Sequence, residues 1–338
     1  MIIFSKKKIL TCSLFFSLFS SFLFSETFRV GQCHTVTIKE EPGFSATASL
    51  GLNDAIGIYF PAERNFIEGL EIKMEIPEQT ALWRDCCGAY IYENIKPAPA
   101  SNQIDFSGNK VFFGVLPGKL SWILQIPFSN ETQFKTNQYT KTIEKTPDIS
   151  GNFVFLRLQQ IMKGVPDEVM NSQITFTVRP ILSDKGMLNI KFNYPELSET
   201  TDSANENNIT VFINDSTYSL DDIKKGILIN TGIHNISVIS ENYRTEVRKV
   251  RIDQAKKTDL IIDLKSIEPS VVITAPDGAE VFIDEQPVED FGNEIILTEG
   301  DHKISCKIGD YEIIRSLSVF KGRTYKINLT VDLQISED

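Results

Sequence analysis

The stretch Val211-Phe212-Ile213-Asn214 returns 70 positions later as Val281-Phe282-Ile283-Asp284. A second block, Gly232–Val238 (GIHNISV), returns 68 positions later as Gly300–Cys306 (GDHKISC). The offset differs slightly between the two blocks, which is expected when loops of different length separate the strands of one duplicated domain. The C-terminal half of the chain is therefore predicted to contain two copies of a small β-module.

The preceding region, residues 26–183, is dominated by period-two alternation of apolar and polar residues, the pattern of half-buried strands. The clearest runs are Leu70–Ile76, Leu120–Ile126 and Ile174–Val178. A region of this size with about ten such strands is typical of a β-sandwich, here of jelly-roll type. The predicted fold class is therefore all-β, an N-terminal β-sandwich followed by two β-modules.

Four segments add detail to the sandwich. Asn152–Leu158 is apolar on both faces, which predicts a central strand. Pro117-Gly118 predicts a hairpin turn. Pro166–Asn171 predicts a short helix, because Pro suits a helix start and acidic residues suit the first turn. Ser129–Ser150 is polar without a clear period and is predicted to be a long loop.

The N-terminus has the pattern of a secretory signal. Lys6-Lys7-Lys8 precede an apolar run, Ile9–Phe24, and Ser25 offers a small residue for cleavage. An uncleaved membrane anchor is the alternative, but the run is short for a span of about 20 apolar residues. The predicted organisation is a signal peptide at 1–25, a sandwich at 26–183, and modules at 187–264 and 270–333. The mature protein is predicted to be exported, to the periplasm or the cell surface, and not to span a membrane.

The charge of the chain argues against one class of partner. Removal of the three signal-peptide lysines leaves 31 basic against 45 acidic residues, a net charge of −14. Binding to a phosphate backbone requires clustered Lys and Arg. Nucleic acid is therefore not an expected partner.

Four cysteines remain after the predicted cleavage. Export permits disulfides, and Cys33 with Cys86 or Cys87 is the preferred bridge because all three lie in one segment. A Cys86–Cys87 bond would close a strained ring. Cys306 takes the place of Val238 in the repeat and is predicted to be a small buried hydrophobe. No CxxC pair is present, and neither a metal site nor a cofactor is expected.

The second copy resembles a PEGA domain, a small β-module of bacterial and archaeal envelope and extracellular proteins. Pro276-Asp277-Gly278-Ala279 stands where that family has Pro-Glu-Gly-Ala, and Val281–Asp284, the Gly300–Ile304 block and Asp310-Tyr311 follow it. The first copy resembles a diverged PEGA-like module, with Pro195-Glu196-Leu197 in place of the naming motif. The resemblance implies a cell-envelope protein; residues 26–183 resemble no family.

Two sets of polar residues could carry chemistry. His234 and His302 hold the same place in the two copies, and the simplest prediction is that each hydrogen-bonds a turn. Glu71, Lys73 and Glu75 share one face of a predicted strand. Paired carboxylates can serve as acid and nucleophile in glycoside hydrolysis, but Lys73 stands between these two, and a solvated outer face is the favoured interpretation.

Aromatic residues offer a possible binding surface. Trp83, Tyr90 and Tyr92 could stack on sugar rings, whereas Trp122 lies in the apolar register of its strand and is predicted to be core. The resulting prediction is a non-catalytic structural or protein-interaction protein of the cell envelope, whose partner is an envelope protein or a cell-wall glycan. Carbohydrate binding through the N-terminal sandwich is the alternative, and a glycoside hydrolase comes third.

Overall fold

The computed structural model describes residues 25–132, 134, 136–195 and 209–330. The predicted signal peptide, apart from Ser25, and the polar insertion at 198–208 lie outside these residues. The chain divides into two compact units, Met1–Ile181 and Leu182–Asp338. Strands account for 55% of the structure and helices for 5%, which confirms the predicted all-β class. Within the described ranges, no helix is long and apolar enough to cross a membrane.

The described residues of the N-terminal unit form eleven strands and two short helices. The strands are β1 (Glu26–Arg29), β2 (Cys33–Thr37), β3 (Ala46–Gly51), β4 (Ala55–Tyr59), β5 (Ile67–Glu75), β6 (Cys87–Lys96), β7 (Asp105–Val115), β8 (Ser121–Pro127), β9 (Thr140–Thr142), β10 (Phe153–Gln160) and β11 (Gln173–Leu182). The helices are α1 (Glu78–Leu82) and α2 (Asp167–Met170). The strands form a six-stranded sheet, β1-β7-β6-β10-β4-β2, and a five-stranded sheet, β3-β11-β5-β8-β9.

The six-stranded sheet is strongly curled. In a flat sheet its edge strands β1 and β2 would be about 24 Å apart, at about 4.8 Å per strand spacing. Only Val30–Gln32 connects them, and so short a connection spans at most about 14 Å. Within this linker, Val30 N donates to Ile104 O, just before β7, and Gly31 N donates to Asn53 O, just before β4. The two edges therefore approach each other.

The curl gives this sheet two buried faces. Its concave face encloses an aromatic cluster, in which the ring centroid of Phe155 lies 4.9 Å from that of Phe106 and 6.3 Å from that of Tyr92. Its other face carries apolar residues such as Leu156, and it packs against the five-stranded sheet: a Cβ added at Gly114 would meet Trp122 at 2.9 Å. Trp122 is buried, as predicted.

Some local predictions are confirmed and others are wrong. The predicted central strand is β10, which lies between β6 and β4, and the predicted helix is α2. The predicted hairpin at Pro117-Gly118 is wrong, because β7 and β8 belong to different sheets and the turn connects the two layers. Helix α1 was not predicted, and the long loop Ser129–Ser150 contributes the short edge strand β9.

The predicted disulfide is not present. Cys33, Cys86 and Cys87 are free and buried. Cys33 lies on β2 and Cys87 on β6, with β4 and β10 between them, and their side chains project to opposite faces of the sheet. A disulfide requires Cα atoms within about 7 Å and converging Cβ vectors, so this topology excludes a bridge between Cys33 and Cys87.

The C-terminal unit repeats one topology twice. The first copy has β12 (Lys185–Asn193), β13 (Ile209–Ile213), β14 (Ser216–Tyr218), helix α3 (Leu220–Lys225), β15 (Ile227–Asn230), β16 (Gly232–Ser240), β17 (Glu246–Ile252) and β18 (Lys257–Asp263). The second has β19 (Ser270–Thr274), β20 (Glu280–Ile283), β21 (Gln286–Pro287), β22 (Glu294–Ile296), β23 (Gly300–Ile308), β24 (Tyr311–Val319) and β25 (Thr324–Asn328). The sheets β15-β12-β18 and β14-β13-β16-β17 correspond to β22-β19-β25 and β21-β20-β23-β24.

Each copy encloses its own apolar core between its two sheets. Val211, Ile236 and Val238 lie in the first core, and Val281, Ile304 and Cys306 take the same places in the second. Cys306 is therefore the buried small hydrophobe that the repeat predicted. The first copy adds α3, whose start is closed by reciprocal hydrogen bonds between Ser219 and Asp222; sequence analysis did not predict this helix.

Candidate binding surface

The structure separates the three aromatic residues that were predicted to bind a ligand. Tyr92 is only 3% exposed and packs inside the curled sheet against Phe28 and Phe155, so its ring has no free face for a sugar. Burial also raises the pKa of its phenol, with further contributions from Glu26. Tyr90 is half-buried, and its ring lies 4.7 Å from that of Phe113. This aromatic face is mainly a core.

Trp83 lies elsewhere, at the end of the sandwich where β5, β7 and β10 end and where β6 and β8 begin. Its carbonyl accepts a hydrogen bond from Cys86 N, just before β6. Backbone hydrogen bonds hold the neighbouring segments: Ile161 N donates to Cys86 O, and Ile76 N donates to Leu120 O. The segments after β5, β7 and β10 therefore meet at this end, where they are supported by both sheets of the sandwich.

Most exposed large apolar side chains of this unit lie at this end. Among the described residues up to 181 there are eight. Five of them belong to these segments, and the sixth, Tyr139, lies beside Lys119 of the segment after β7; the six are Leu82, Trp83, Leu120, Tyr139, Ile161 and Met162. We call this set the apolar loop end. Single exposed apolar residues are ordinary on protein surfaces, but a concentration of them marks an interaction site.

The apolar loop end is held firmly below its surface. Helices α1 and α2 meet through the buried hydroxyl pair Thr80 and Ser172, whose oxygens are 2.6 Å apart, and Ser172 Oγ also donates to Val169 O. The ammonium group of Lys119 lies 5.0 Å from the centroid of the Tyr139 ring. Because the scaffold fixes these segments, binding here would order few additional groups.

The carboxylate pair on β5 lies on the outer face of the five-stranded sheet. Leu70, Ile72 and Met74 are fully buried beneath it. Lys73 Nζ forms an ion pair with Glu75 Oε1 at 2.7 Å, so an ammonium group occupies the position between Glu71 and Glu75. The arrangement is that of a solvated strand face. In the described part of the chain, no group of His, Cys, Asp or Glu side chains could hold a metal ion.

The duplicated histidines fix turns, as predicted. In the second copy, His302 Nδ1 donates to Asp284 Oδ2 (2.5 Å) and Nε2 donates to Thr298 O (2.8 Å), while Asp284 Oδ1 accepts from Lys303 N (2.7 Å). Because both ring nitrogens of His302 donate a hydrogen bond, the side chain is an imidazolium. The hydrogen bond to Thr298 raises the pKa of His302 and Asp284 raises it further, against an opposing contribution from burial.

The first copy has the same turn with neutral partners. Asn214 Oδ1 accepts from Asn235 N (3.0 Å), so Asn214 Nδ2 donates to His234 Nδ1 (2.9 Å). His234 Nε2 then donates to Asn230 O (2.8 Å). One ring nitrogen of His234 accepts and the other donates, which is the hydrogen-bonding pattern of a neutral imidazole. Asn214 and Asp284 both have positive φ, near +50°, which their short polar side chains tolerate.

A cleft of about 510 Å³ lies between the two copies. On one side, Arg244 donates from Nε to Ser266 O and from Nη2 to Thr324 Oγ1. On the other, the hydroxyls of Ser270 and Thr324 donate to Glu294 Oε1 and lower the pKa of that carboxyl, Ser270 more strongly. Because these polar groups already bind one another, the cleft is better explained as the junction that holds the copies together.

Sequence reasoning identified only Trp83 of the apolar loop end. Leu120 had been assigned to the apolar face of its strand, but it precedes β8 and is exposed. Ile161-Met162 and Leu82-Trp83 are adjacent apolar pairs beside turns, with Lys163 or Arg84 following. Such pairs interrupt the alternation of apolar and polar residues that is expected of strands. They were the signal in the sequence that could have indicated the apolar loop end.

Comparisons with known proteins give little further information. No family model matches the chain, and no curated protein matches it. Among solved structures, the Bacillus anthracis TIE protein is 14% identical with a TM-score of 0.25, over 90% of this chain and 57% of its own. The pilus adhesin SpaC from Lactobacillus rhamnosus GG is 6% identical with a TM-score of 0.23, over 92% of this chain and 44% of its own.

A third solved structure contains the M60 catalytic domain with the CBM51-1 and CBM51-2 domains of Clostridium perfringens ZmpB. It is 11% identical with a TM-score of 0.21, over 78% of this chain and 25% of its own. This chain thus spans from a quarter to just over half of the length of these three proteins. At such TM-scores the similarities support no conclusion about the fold or function of this chain.

Proposed function

We propose that this chain is an exported, non-catalytic protein-interaction protein of the cell envelope, which binds a protein partner through its apolar loop end. The observation that carries the proposal is the concentration of six exposed apolar side chains on rigidly held segments at one end of the sandwich. Trp, Tyr and Met are enriched in the cores of protein interfaces, and all three occur here. Loops on a rigid scaffold are also where β-sandwiches commonly bind.

The cell-envelope address rests on the sequence. The basic segment and apolar run before Ser25 support export, and the PEGA-like motif at Pro276–Ala279 supports an envelope protein.

A direct experiment uses a chain that begins at residue 26 and is immobilised on a resin. Extracts of the producing cell's envelope are passed over it, and retained proteins are cross-linked and identified by mass spectrometry. The test variant is Leu82→Ser with Trp83→Ala. The control is Ile104→Ser, because Ile104 has the same exposed fraction as Trp83, 38%, but lies at the opposite end of β7.

The proposal expects one specific protein to be retained by the native chain and by the control and to be lost from the test variant. Equal retention by all three chains would show that the apolar loop end is not the binding surface. Retention of no specific protein by the native chain would remove the protein-interaction proposal itself.

Carbohydrate binding is the second candidate, because Trp83 and Tyr139 are exposed aromatic residues at the same end. Aromatic faces stack on sugar rings. Binding of the same three chains to a glycan array separates the candidates. A glycan signal that the double variant loses and the Ile104→Ser control keeps would favour a cell-wall glycan as the partner.

A further inference from the structure

Strand β24 is an edge strand with one unpaired side. In the second module's larger sheet it is the terminal strand, and it pairs with β23 over nine residues, from Gly300 opposite Val319 to Ile308 opposite Tyr311. Its other side has no strand partner among the described residues. An edge of this length offers a row of backbone donors and acceptors to another strand unless something blocks it.

The equivalent edge of the first module is blocked by charge. Strand β17 carries Glu246, Lys249 and Arg251, which lie opposite Val238, Asn235 and Ile233 of β16. In the repeat, those three residues of β16 correspond to Cys306, Lys303 and Asp301 of β23. On β24, the residues opposite these are Ile313, Ser316 and Ser318. Three charged residues have thus been replaced by Ile and two Ser in the same places of the same fold. Charged side chains are a common means of preventing edge-to-edge pairing. Strand β17 has four of them in seven residues, whereas β24 has two, Glu312 and Arg315, in nine.

The side chains of β24 are exposed as well as its backbone. Six consecutive residues, Tyr311–Ser316, are exposed, and Tyr311 is 81% exposed. Beside the strand, a groove of about 200 Å³ opens toward the module core. Ile304, Cys306, Ile313, Leu317, Ile327 and Leu329 line it. The second module is therefore open along the edge where a further strand would add.

We propose that β24 pairs with β24 of a second copy of this chain, antiparallel and about a two-fold axis at Ile314. The four-stranded sheets of two molecules would then form one continuous sheet of eight strands. A two-fold axis makes such an interface self-complementary, because the same residues face each other in both directions. Addition of a strand to an exposed sheet edge is a common mode of recognition.

The side chains select this register. With the axis at Ile314, that residue faces its own copy, Tyr311 faces Leu317 of the second copy, and Glu312 faces Ser316 of the second copy. An axis one residue further along, at Arg315, would place two guanidinium groups opposite each other, and like charges in that position destabilise a sheet. An axis at Ile313 would shorten the paired segment from Tyr311–Leu317 to Tyr311–Arg315.

The oligomeric state of the chain from residue 26 tests the proposal. Sedimentation equilibrium over a wide range of concentrations is expected to show a reversible dimer. Ile314→Lys would set two ammonium groups opposite each other on the axis, so the dimer should be lost. Val247→Lys is the matched control: Val247 occupies the same position on β17, faces solvent to a similar extent and should leave the dimer intact.

The register has its own test. Ser316→Lys would face Glu312 of the second copy, so the dimer should persist or tighten, although this variant also adds a charge to the edge. Ile314→Cys would bring two Cα atoms to about 5 Å across the axis, a separation that a disulfide accepts. It should give a covalent dimer on oxidation, whereas Val247→Cys should not.

Three results would overturn the proposal: a native chain that is monomeric at every concentration, equal loss of the dimer in the Ile314→Lys and Val247→Lys chains, or a dimer unaffected by Ile314→Lys. Circular dichroism of each variant shows whether its fold is retained. The proposal is independent of the apolar loop end, because Leu82→Ser with Trp83→Ala should leave the dimer unchanged.

Discussion

His302 and Asp284 form a charged clamp across a turn of the second module, with 2.5 Å between Nδ1 and Oδ2. At the same place in the first module, His234 and Asn214 form a neutral clamp at 2.9 Å. The duplication has therefore preserved the geometry of the turn and changed its electrostatics. Only the second version joins two ionised side chains.

The charged clamp predicts a pH dependence with a definite sign. The pKa of His302 is raised, so its contribution to stability is complete below the pKa of an unfolded His, about 6.5, and is lost as pH rises through the folded value. The pKa of Asp284 is lowered, by the hydrogen bond from Lys303 N and then by His302, so its contribution is present above about pH 4 and is lost on further acidification.

Asp284→Asn should reduce the first of these effects, because it replaces the charged partner of His302 with the neutral partner found in the first module, while the hydrogen bond to Thr298 remains. NMR titration of the histidine ring protons would measure it. The titration midpoint of His302 is expected to fall in the variant, and the free energy of unfolding should change less between pH 6 and pH 8. An unchanged His302 midpoint would contradict the assigned pairing.

The aromatic cluster inside the curled sheet should contribute strongly to stability. Phe155 is fully buried, whereas Phe113 lies on the same face and is nearly half exposed. Phe155→Ala is expected to lower the free energy of unfolding by about 3–5 kcal/mol, the range for a buried aromatic. Phe113→Ala should cost much less. Urea unfolding followed by aromatic fluorescence measures both, and equal costs would argue against a packed concave face.

Burial should make the thiols unreactive in the native protein. It raises the pKa of Cys87 to about 12, with a smaller contribution from Cys86, and it also raises the pKa of Cys33 and Cys306. Because the thiolate is the reactive form, a chromogenic disulfide reagent at pH 8 should label these groups slowly in the native chain from residue 26. All four cysteines should react after denaturation. Fewer than four thiols in the non-reduced, denatured chain would reveal a disulfide.

A close approach of two backbone segments should make Gly57 sensitive to substitution. A Cβ added there would lie 2.4 Å from Cβ of Pro99, and the carbonyl of Pro99 is held by the hydroxyl of Tyr59. Gly57→Ala is expected to destabilise the N-terminal unit by about 1–3 kcal/mol through overpacking. Replacement of Pro99 by Gly in the same chain should recover part of that loss, and urea unfolding measures both. The absence of any effect in the single variant would show that the 97–104 segment shifts freely.

The all-β class and the repeated core positions followed from the sequence, because alternation and repetition are local signals. Val211 and Val281, or Val238 and Cys306, could be aligned without any structure. The partner of a strand is not a local property, and this is why Pro117-Gly118 was taken for a hairpin. Proximity in sequence suggested a bridge from Cys33 to Cys86 or Cys87, although the sheet order places other strands between them.

The candidate surface was predicted less well for the same reason. Tyr90 and Tyr92 were grouped with Trp83 because all three are aromatic and could stack on sugar rings, but the curl of the sheet buries Tyr92. The apolar loop end brings together residues as far apart as Leu82 and Met162. Only the arrangement of strand ends shows that these residues share one end of the sandwich.

The three-residue link between β1 and β2 also constrains the order of folding. Among the described residues, Glu26–Arg29 pairs with residues 105–108 of β7, so β1 is synthesised roughly 80 residues before its partner. Contacts of such long sequence separation form late, because closing the loop costs entropy before pairing compensates. The curled sheet can therefore close only after most of the sandwich has emerged, and until then β1 lacks the strand with which it pairs.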